Sequence, residues 1–194
     1  PSFQVNIDNK TNRDSETFRI IHVGRIASGK GQIDAVKACK VLYDKKINFQ
    51  LDIIGDIDDV MYSEKLSEVV DSCEYKNNVK ISLAVRNINE IYHSSDILLF
   101  PSYGEGLGNV FIEALASGLI CITYNNTTFP EFEKIGFYFH MVETGNLNIL
   151  SDKLLSVVLD FNSELDHIEN NLDKLKINFS EDRELNDWLE IIRT

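Results

Sequence analysis

Short, uninterrupted apolar runs alternate along the chain with longer stretches in which apolar positions recur every three or four residues. FRIIHV at Phe18 to Val23, FQLDII at Phe49 to Ile54, VKISL at Val79 to Leu83, DILLF at Asp96 to Phe100 and LICITY at Leu119 to Tyr124 have the length and continuity of strands buried on both faces. Amphipathic stretches between them, at Gln32 to Lys45, Ser63 to Cys73, Asn89 to Ser94 and Asn109 to Ser117, predict helices. Strand, helix, strand repeated in this way predicts an α/β fold, a doubly wound parallel sheet with helices on both faces.

A weaker strand is predicted at Gly136 to His140, after which the pattern is wholly helical. Asn146 is placed to cap a helix from Leu147 to Leu159, and Ser180 one from Glu181 to Arg193. Residues 1–17 are polar without a sustained period and read as a linker; with no initiator Met before Pro1, the expectation is a linker from a missing N-terminal domain. The core domain then runs over 18–160, and 161–194 forms a C-terminal helical extension.

Composition narrows the function classes. Hydrophobic residues make up 43% and charged residues 26% of 194 residues, as in an ordinary globular chain. Nineteen basic residues against 31 acidic ones give a net charge of −12, which repels phosphate backbones, so no nucleic-acid partner is expected. From Glu143 onward there are twelve acids and five bases, so most of the excess lies in the last quarter of the chain and reads as a solvated C-terminal helical face. Cys39, Cys73 and Cys121 show no ligand spacing and read as reduced thiols of a cytoplasmic protein. No apolar run approaches the roughly 18 residues of a membrane span, so no direct membrane insertion is expected. His22, His93, His140 and His167 are isolated and read as structural.

In a doubly wound sheet, ligands bind at the carboxyl ends of the strands, which directs attention to the loops after Val23, Leu83 and Phe100. The first reads Gly24-Arg25-Ile26-Ala27-Ser28-Gly29-Lys30-Gly31. Two cations among three glycines at the entry to a helix suit a phosphate group. The loop nearly spells a GxxxxGK[ST] phosphate loop, but position 31 is Gly where a magnesium-holding hydroxyl is required. The third loop, Pro101-Ser102-Tyr103-Gly104-Glu105-Gly106-Leu107-Gly108-Asn109, leads into a helix that Gly118 ends. Its glycines let a ligand approach the backbone, and the amides near Gly108 to Val110 are the free donors of a helix start. Glu105 and Glu113 frame it, the helical part between them spanning about 6 Å, so they are placed to hold different parts of one elongated ligand. Glu113 lies within VFIEALA, where a buried charge is expected to be paired. Asp56-Ile57-Asp58, followed by Asp59, resembles a DxD metal motif, although an acidic loop is the simpler reading.

The segments HVGRIASGKG, VKISLAV, SSDILLFPSYGEGLGNVFIEALASGLICIT and FPEF occur in the order found in glycosyltransferase family four, and the chain over residues 18 to 160 resembles the C-terminal, donor-binding half of that family's two-domain GT-B architecture. The resemblance implies a Rossmann-like domain and a retaining transfer of a hexose from a UDP- or GDP-linked sugar, without metal or other cofactor. Arg25 and Lys30 would bind the diphosphate and stabilise the leaving nucleotide, with Gly24 in the same loop. Glu105 would face the transferred sugar, and Glu113 would hold the ribose. The amides of Gly106, Leu107, Gly108, Asn109 and Val110 would meet sugar hydroxyls and phosphate, and Leu83 to Arg86 would lie beside the base. Glu105, Arg25 and Lys30 are thereby the expected catalytic groups.

The resemblance also implies a glycan or lipid-linked acceptor met through the missing N-terminal domain. The expected location is cytoplasmic, peripheral at the inner face of the membrane in the full-length protein. The terminal helix would pack toward the missing domain, and this fragment alone would bind nucleotide but transfer no sugar. Leu83 departs from a frequent Gly, and Thr127-Thr128 from paired glycines. The competing classes are a nucleotide-sugar epimerase of similar fold, a catalytically silent nucleotide-sugar module and a P-loop nucleotide-binding module.

Overall fold

The computed structural model describes residues 17–178 apart from Leu107 and Thr127. Residues 1–16 of the linker expected over 1–17 and the expected helix from Glu181 to Arg193 lie outside the described residues. Six parallel strands, β1 (Phe18–Val23), β2 (Phe49–Ile54), β3 (Val79–Ser82), β4 (Ile97–Phe100), β5 (Ile120–Tyr124) and β6 (His140–Val142), form one sheet in the order β3-β2-β1-β4-β5-β6. Ile20 of β1 lies opposite Leu51 of β2 on one side and Ile97 of β4 on the other.

Every residue of β4 and of β5 is buried, which is why their sequences read as continuous apolar runs instead of alternating ones. Helices α1 (Gln32–Ala38), α2 (Lys40–Asp44), α3 (Val60–Ser72), α4 (Ile88–Ser94), α5 (Asn109–Ala116), α6 (Phe129–Lys134), α7 (Leu147–Leu159), α8 (Phe161–Leu165) and α9 (Ile168–Asn178) cover the two faces. The α1 helix packs against α3 and α7, which also meets α2, while α5 packs against α9. The core centres on Ile20, Ile21, Leu51, Leu98, Leu99, Cys121 and Ile122, each fully buried.

Asn146 caps α7 as its sequence position predicts, its side chain accepting from the Ile149 amide. Asn146→Ala should therefore lower stability by about 1 kcal/mol in a denaturant titration, with the sheet intact. Elsewhere the boundaries move for identifiable reasons. The stretch expected as one helix over 32–45 is two, parted at Cys39. The helix expected from Ser63 begins at Val60, where Asp59 accepts from the Tyr62 amide and caps it. The strand expected at Gly136 to His140 is displaced to His140–Val142, because Phe137 and Phe139 are spent on an aromatic cluster with Phe132 and Phe111. Among the described residues no helix is long and apolar enough to cross a membrane.

Candidate functional site

The strand order reverses between β1 and β4. A crevice opens at such a point, outside the carboxyl ends of the two strands, and the loops leaving them are the two glycine-rich loops of the sequence.

The loop after β1 forms a short 3-10 turn over Ser28–Lys30 and enters α1 through Gly31. Gly31 has φ +74°, and a Cβ there would lie 1.9 Å from the Pro101 carbonyl oxygen. The loop thus rests directly on the end of β4. The same closeness rules against a P-loop, because no Ser or Thr fits at position 31. Tyr103 donates its amide to Gly29 O at 3.0 Å, and the Ser102 hydroxyl lies 3.3 Å from the same oxygen.

This stitching brings Lys30 of the one glycine-rich loop to Glu105 of the other: Lys30 Nζ donates to Glu105 Oε1 at 2.7 Å. Their side chains are only 21% and 11% exposed, so water screens the pair less than it would on the surface. Arg25 is different. Its guanidinium donates to Asp58 at 2.7 Å, with side chains 67% and 48% exposed, a pair of little energetic weight. Backbone bonds align it, since Ile26 donates to Asp56 O and its own oxygen receives the amides of Asp58 and Asp59.

The acids of the DxD-like segment are thus engaged separately. Asp56 accepts from the Ala84 amide, Asp58 pairs with Arg25 and Asp59 caps α3. Among the described residues no group of three His, Cys, Asp or Glu is placed to hold a metal.

Gly108 opens α5 in the left-handed region, φ +71°, and its carbonyl receives the Phe111 and Ile112 amides. The amides of Asn109 and Val110 belong to the first turn, beyond reach of any intrahelical carbonyl. Glu113 is exposed, not buried as its apolar neighbours predicted. It has a partner nonetheless, accepting from the hydroxyl of fully buried Tyr92 at 3.1 Å. Burial first, and the Glu113 charge second, push the Tyr92 phenol up, so it remains a donor. Leu83 and Arg86 lie exposed in the loop after β3, with Leu83 63% exposed. Gly24 ends β1, donating to Ile54 O, and Gly106 is exposed beside Glu105; Leu107 lies outside the described residues.

Sequence reasoning missed the groups that hold these loops in place. Asp34 of α1 accepts hydroxyls from Tyr103 at 2.7 Å and Tyr124 at 2.9 Å, and that bond pushes Tyr103 up to about 12. No local pattern announces such a contact. His22, read as structural, is so: its Nε2 lies 2.8 Å from Lys30 O. With a carbonyl as partner that nitrogen carries the proton.

Burial lowers the His22 pKa to about 4. The folded protein then holds His22 neutral while the unfolded chain takes up a proton below its ordinary value of 6.5, so stability rises with pH between these limits and falls as pH drops toward about 4. Denaturant titrations at several pH values across that window should show a shallower slope for His22→Gln than for the unsubstituted chain.

The chain matches the family model described as glycosyl transferases group 1 over residues 3–174. Its sequence is 27% identical over 151 residues to the capsular polysaccharide biosynthesis glycosyltransferase CapM of Staphylococcus aureus, covering 75% of this chain and 38% of that one. The fold superposes on the C-terminal domain of LpcC, a glycosyl transferase group 1 family protein of Francisella tularensis, with a TM-score of 0.73 at 24% identity, covering 84% of this chain and 87% of that domain. It also superposes on Anabaena HepE, solved in complex with UDP-glucose, with a TM-score of 0.77 at 17% identity over 90% of this chain and 49% of that one. The present chain thus spans well under half of the CapM relative. With the loops around the Lys30 and Glu105 pair lying inside a match that runs from residue 3 to residue 174, the chain belongs to the glycosyl transferases group 1 family.

Proposed function

We propose that the chain is the donor-binding half of a retaining glycosyltransferase that moves a hexose from a UDP- or GDP-linked sugar to a glycan or lipid-linked acceptor. The observation that carries this reading is the 2.7 Å contact of Lys30 with Glu105 at the point where the strand order reverses. It joins a phosphate-seeking cation to a sugar-seeking carboxylate. HepE was solved with UDP-glucose and LpcC supplies a C-terminal domain of matching size, both of which support the reading. The presence of both acids of the glycine loop favours a transferase over an epimerase.

In the proposed mechanism the diphosphate takes Lys30, with Arg25 and the amides of Asn109 and Val110 sharing its charge. Negative charge grows on the departing β-phosphate as the anomeric bond breaks, and fixed cations and amides aimed there stabilise that state more than the ground state. Glu105 accepts from sugar hydroxyls, and Glu113, steadied by Tyr92, accepts from the ribose diol. Leu83 and the backbone to Arg86 flank the base. The acceptor would come through another domain, at the inner face of the membrane in a cytoplasmic protein, so this chain alone should bind nucleotide without transferring sugar.

The two acids separate in a calorimetric titration. Glu113→Ala should weaken UDP and UDP-glucose alike by about tenfold, the worth of one charged hydrogen bond. Glu105→Gln should weaken UDP-glucose by a similar factor while leaving UDP unchanged or tighter, since it frees the Lys30 ammonium. Equal losses for both ligands in both variants would contradict the division.

A further inference from the structure

We propose that Thr128, preceding α6, is a positioning residue that fixes the backbone of the Glu105 loop and so favours a sugar nucleotide over the bare nucleotide; this rests on the donor-site reading above. Thr128 Oγ1 lies 2.8 Å from the Glu105 carbonyl oxygen and 2.5 Å from that of Gly106. One hydroxyl proton serves both acceptors in turn or shares between them. Either way two successive peptide groups are drawn toward the β5 side of the crevice. The Gly106 amide, trans to the Glu105 carbonyl in the same planar peptide, is thereby turned away from Thr128.

The loop needs such a hold. Beyond the adjacent residues of the chain, no atom lies within 4 Å of where a Cβ would stand at Gly104 or Gly106, so neither glycine is held by side-chain packing. Glycine backbones also surrender the most freedom on being ordered. The entrance is fastened separately, by Asn126 Nδ2 donating to Ser102 O at 2.8 Å, and Asn126 is buried. The Thr128 backbone is in the ordinary helical region, φ −93° and ψ −42°, so the residue holds this position without strain. A ligand that uses Glu105 and the loop amides gains from a loop already set in place. The proposed contacts of the bare nucleotide, at Glu113, Lys30, Arg25, Leu83 and the helix-start amides of Asn109 and Val110, lie outside the Glu105 and Gly106 carbonyls that Thr128 holds, so the bare nucleotide gains little.

The test pairs hydrogen exchange with titration of UDP and UDP-glucose on Thr128→Val, which keeps the shape and removes the hydroxyl, and on Thr128→Ser, which keeps the hydroxyl. In the valine variant the segment from Tyr103 to Val110 should exchange several-fold faster. UDP-glucose affinity should fall by about tenfold and UDP affinity by less than about twofold, the range expected for one hydrogen bond. Serine should restore both readouts. Should valine prevent folding, Thr128→Ala makes the same comparison. Unchanged exchange in the variant without the hydroxyl, equal losses for the two ligands, or failure of serine to restore them overturns the proposal. If the unsubstituted chain binds neither ligand, the donor-site reading fails, and the exchange comparison alone decides whether Thr128 holds the loop.

Discussion

Gly31→Ser, which completes the motif GxxxxGKS, is expected to damage the protein instead of converting it to a magnesium-dependent nucleotide hydrolase. The residue sits at φ +74°, where a side chain costs about 1–2 kcal/mol. The larger penalty is steric. A Cβ would stand 1.9 Å from the Pro101 carbonyl oxygen, and that oxygen belongs to backbone leaving a fully buried strand, so it has no easy way to yield. Together the two effects should lower stability by about 3 kcal/mol or more, which for a domain of this size is a fall in Tm of about 10 °C. A thermal melt reads it directly. A stable variant that hydrolyses nucleoside triphosphate with magnesium would show that the loop wraps phosphate as a P-loop does.

Lys30→Met should abolish most nucleotide affinity while leaving the fold in place. Methionine keeps the apolar stem and removes only the ammonium, which lies 2.7 Å from Glu105. A charge-assisted bond from a half-buried ammonium to phosphate is worth about 2–3 kcal/mol, so UDP affinity should fall by about 30- to 100-fold. The corresponding change at Arg25 should be smaller. Its guanidinium is largely exposed and shared with Asp58, and exposed charges are screened by salt. A thermal melt alongside the titration separates lost binding from lost folding.

The sequence made the sheet legible where strands are buried on both faces. DILLF and LICITY are almost wholly apolar, Thr123 in the second being buried with the rest, and β4 and β5 lie where those runs do, trimmed by one residue. It misled where apolar residues serve side-chain packing instead of strand pairing, as in the aromatic cluster ahead of β6. The α6 helix has six residues, too short to display a helical period, and its one local signal was Pro130 in the first turn. The site was half legible. Glycine spacing picked out both loops, because a backbone that must approach a ligand needs glycine there. Their meeting at Lys30 and Glu105 follows from the pairing of β1 with β4, which periodicity cannot reveal. Glu113 was found for a partly mistaken reason: its partner Tyr92 is buried, but the carboxylate itself is exposed.

In the proposed mechanism the chain holds a nucleoside diphosphate through Lys30 without a metal ion. Calorimetric titration of UDP and of GDP into the chain, in chelator and again with magnesium, tests it most directly. Saturable one-to-one binding of at least one of them is expected, unchanged by magnesium and weakened by about 30- to 100-fold in Lys30→Met. Binding of neither nucleotide, or binding that appears only with magnesium and survives Lys30→Met, would contradict it.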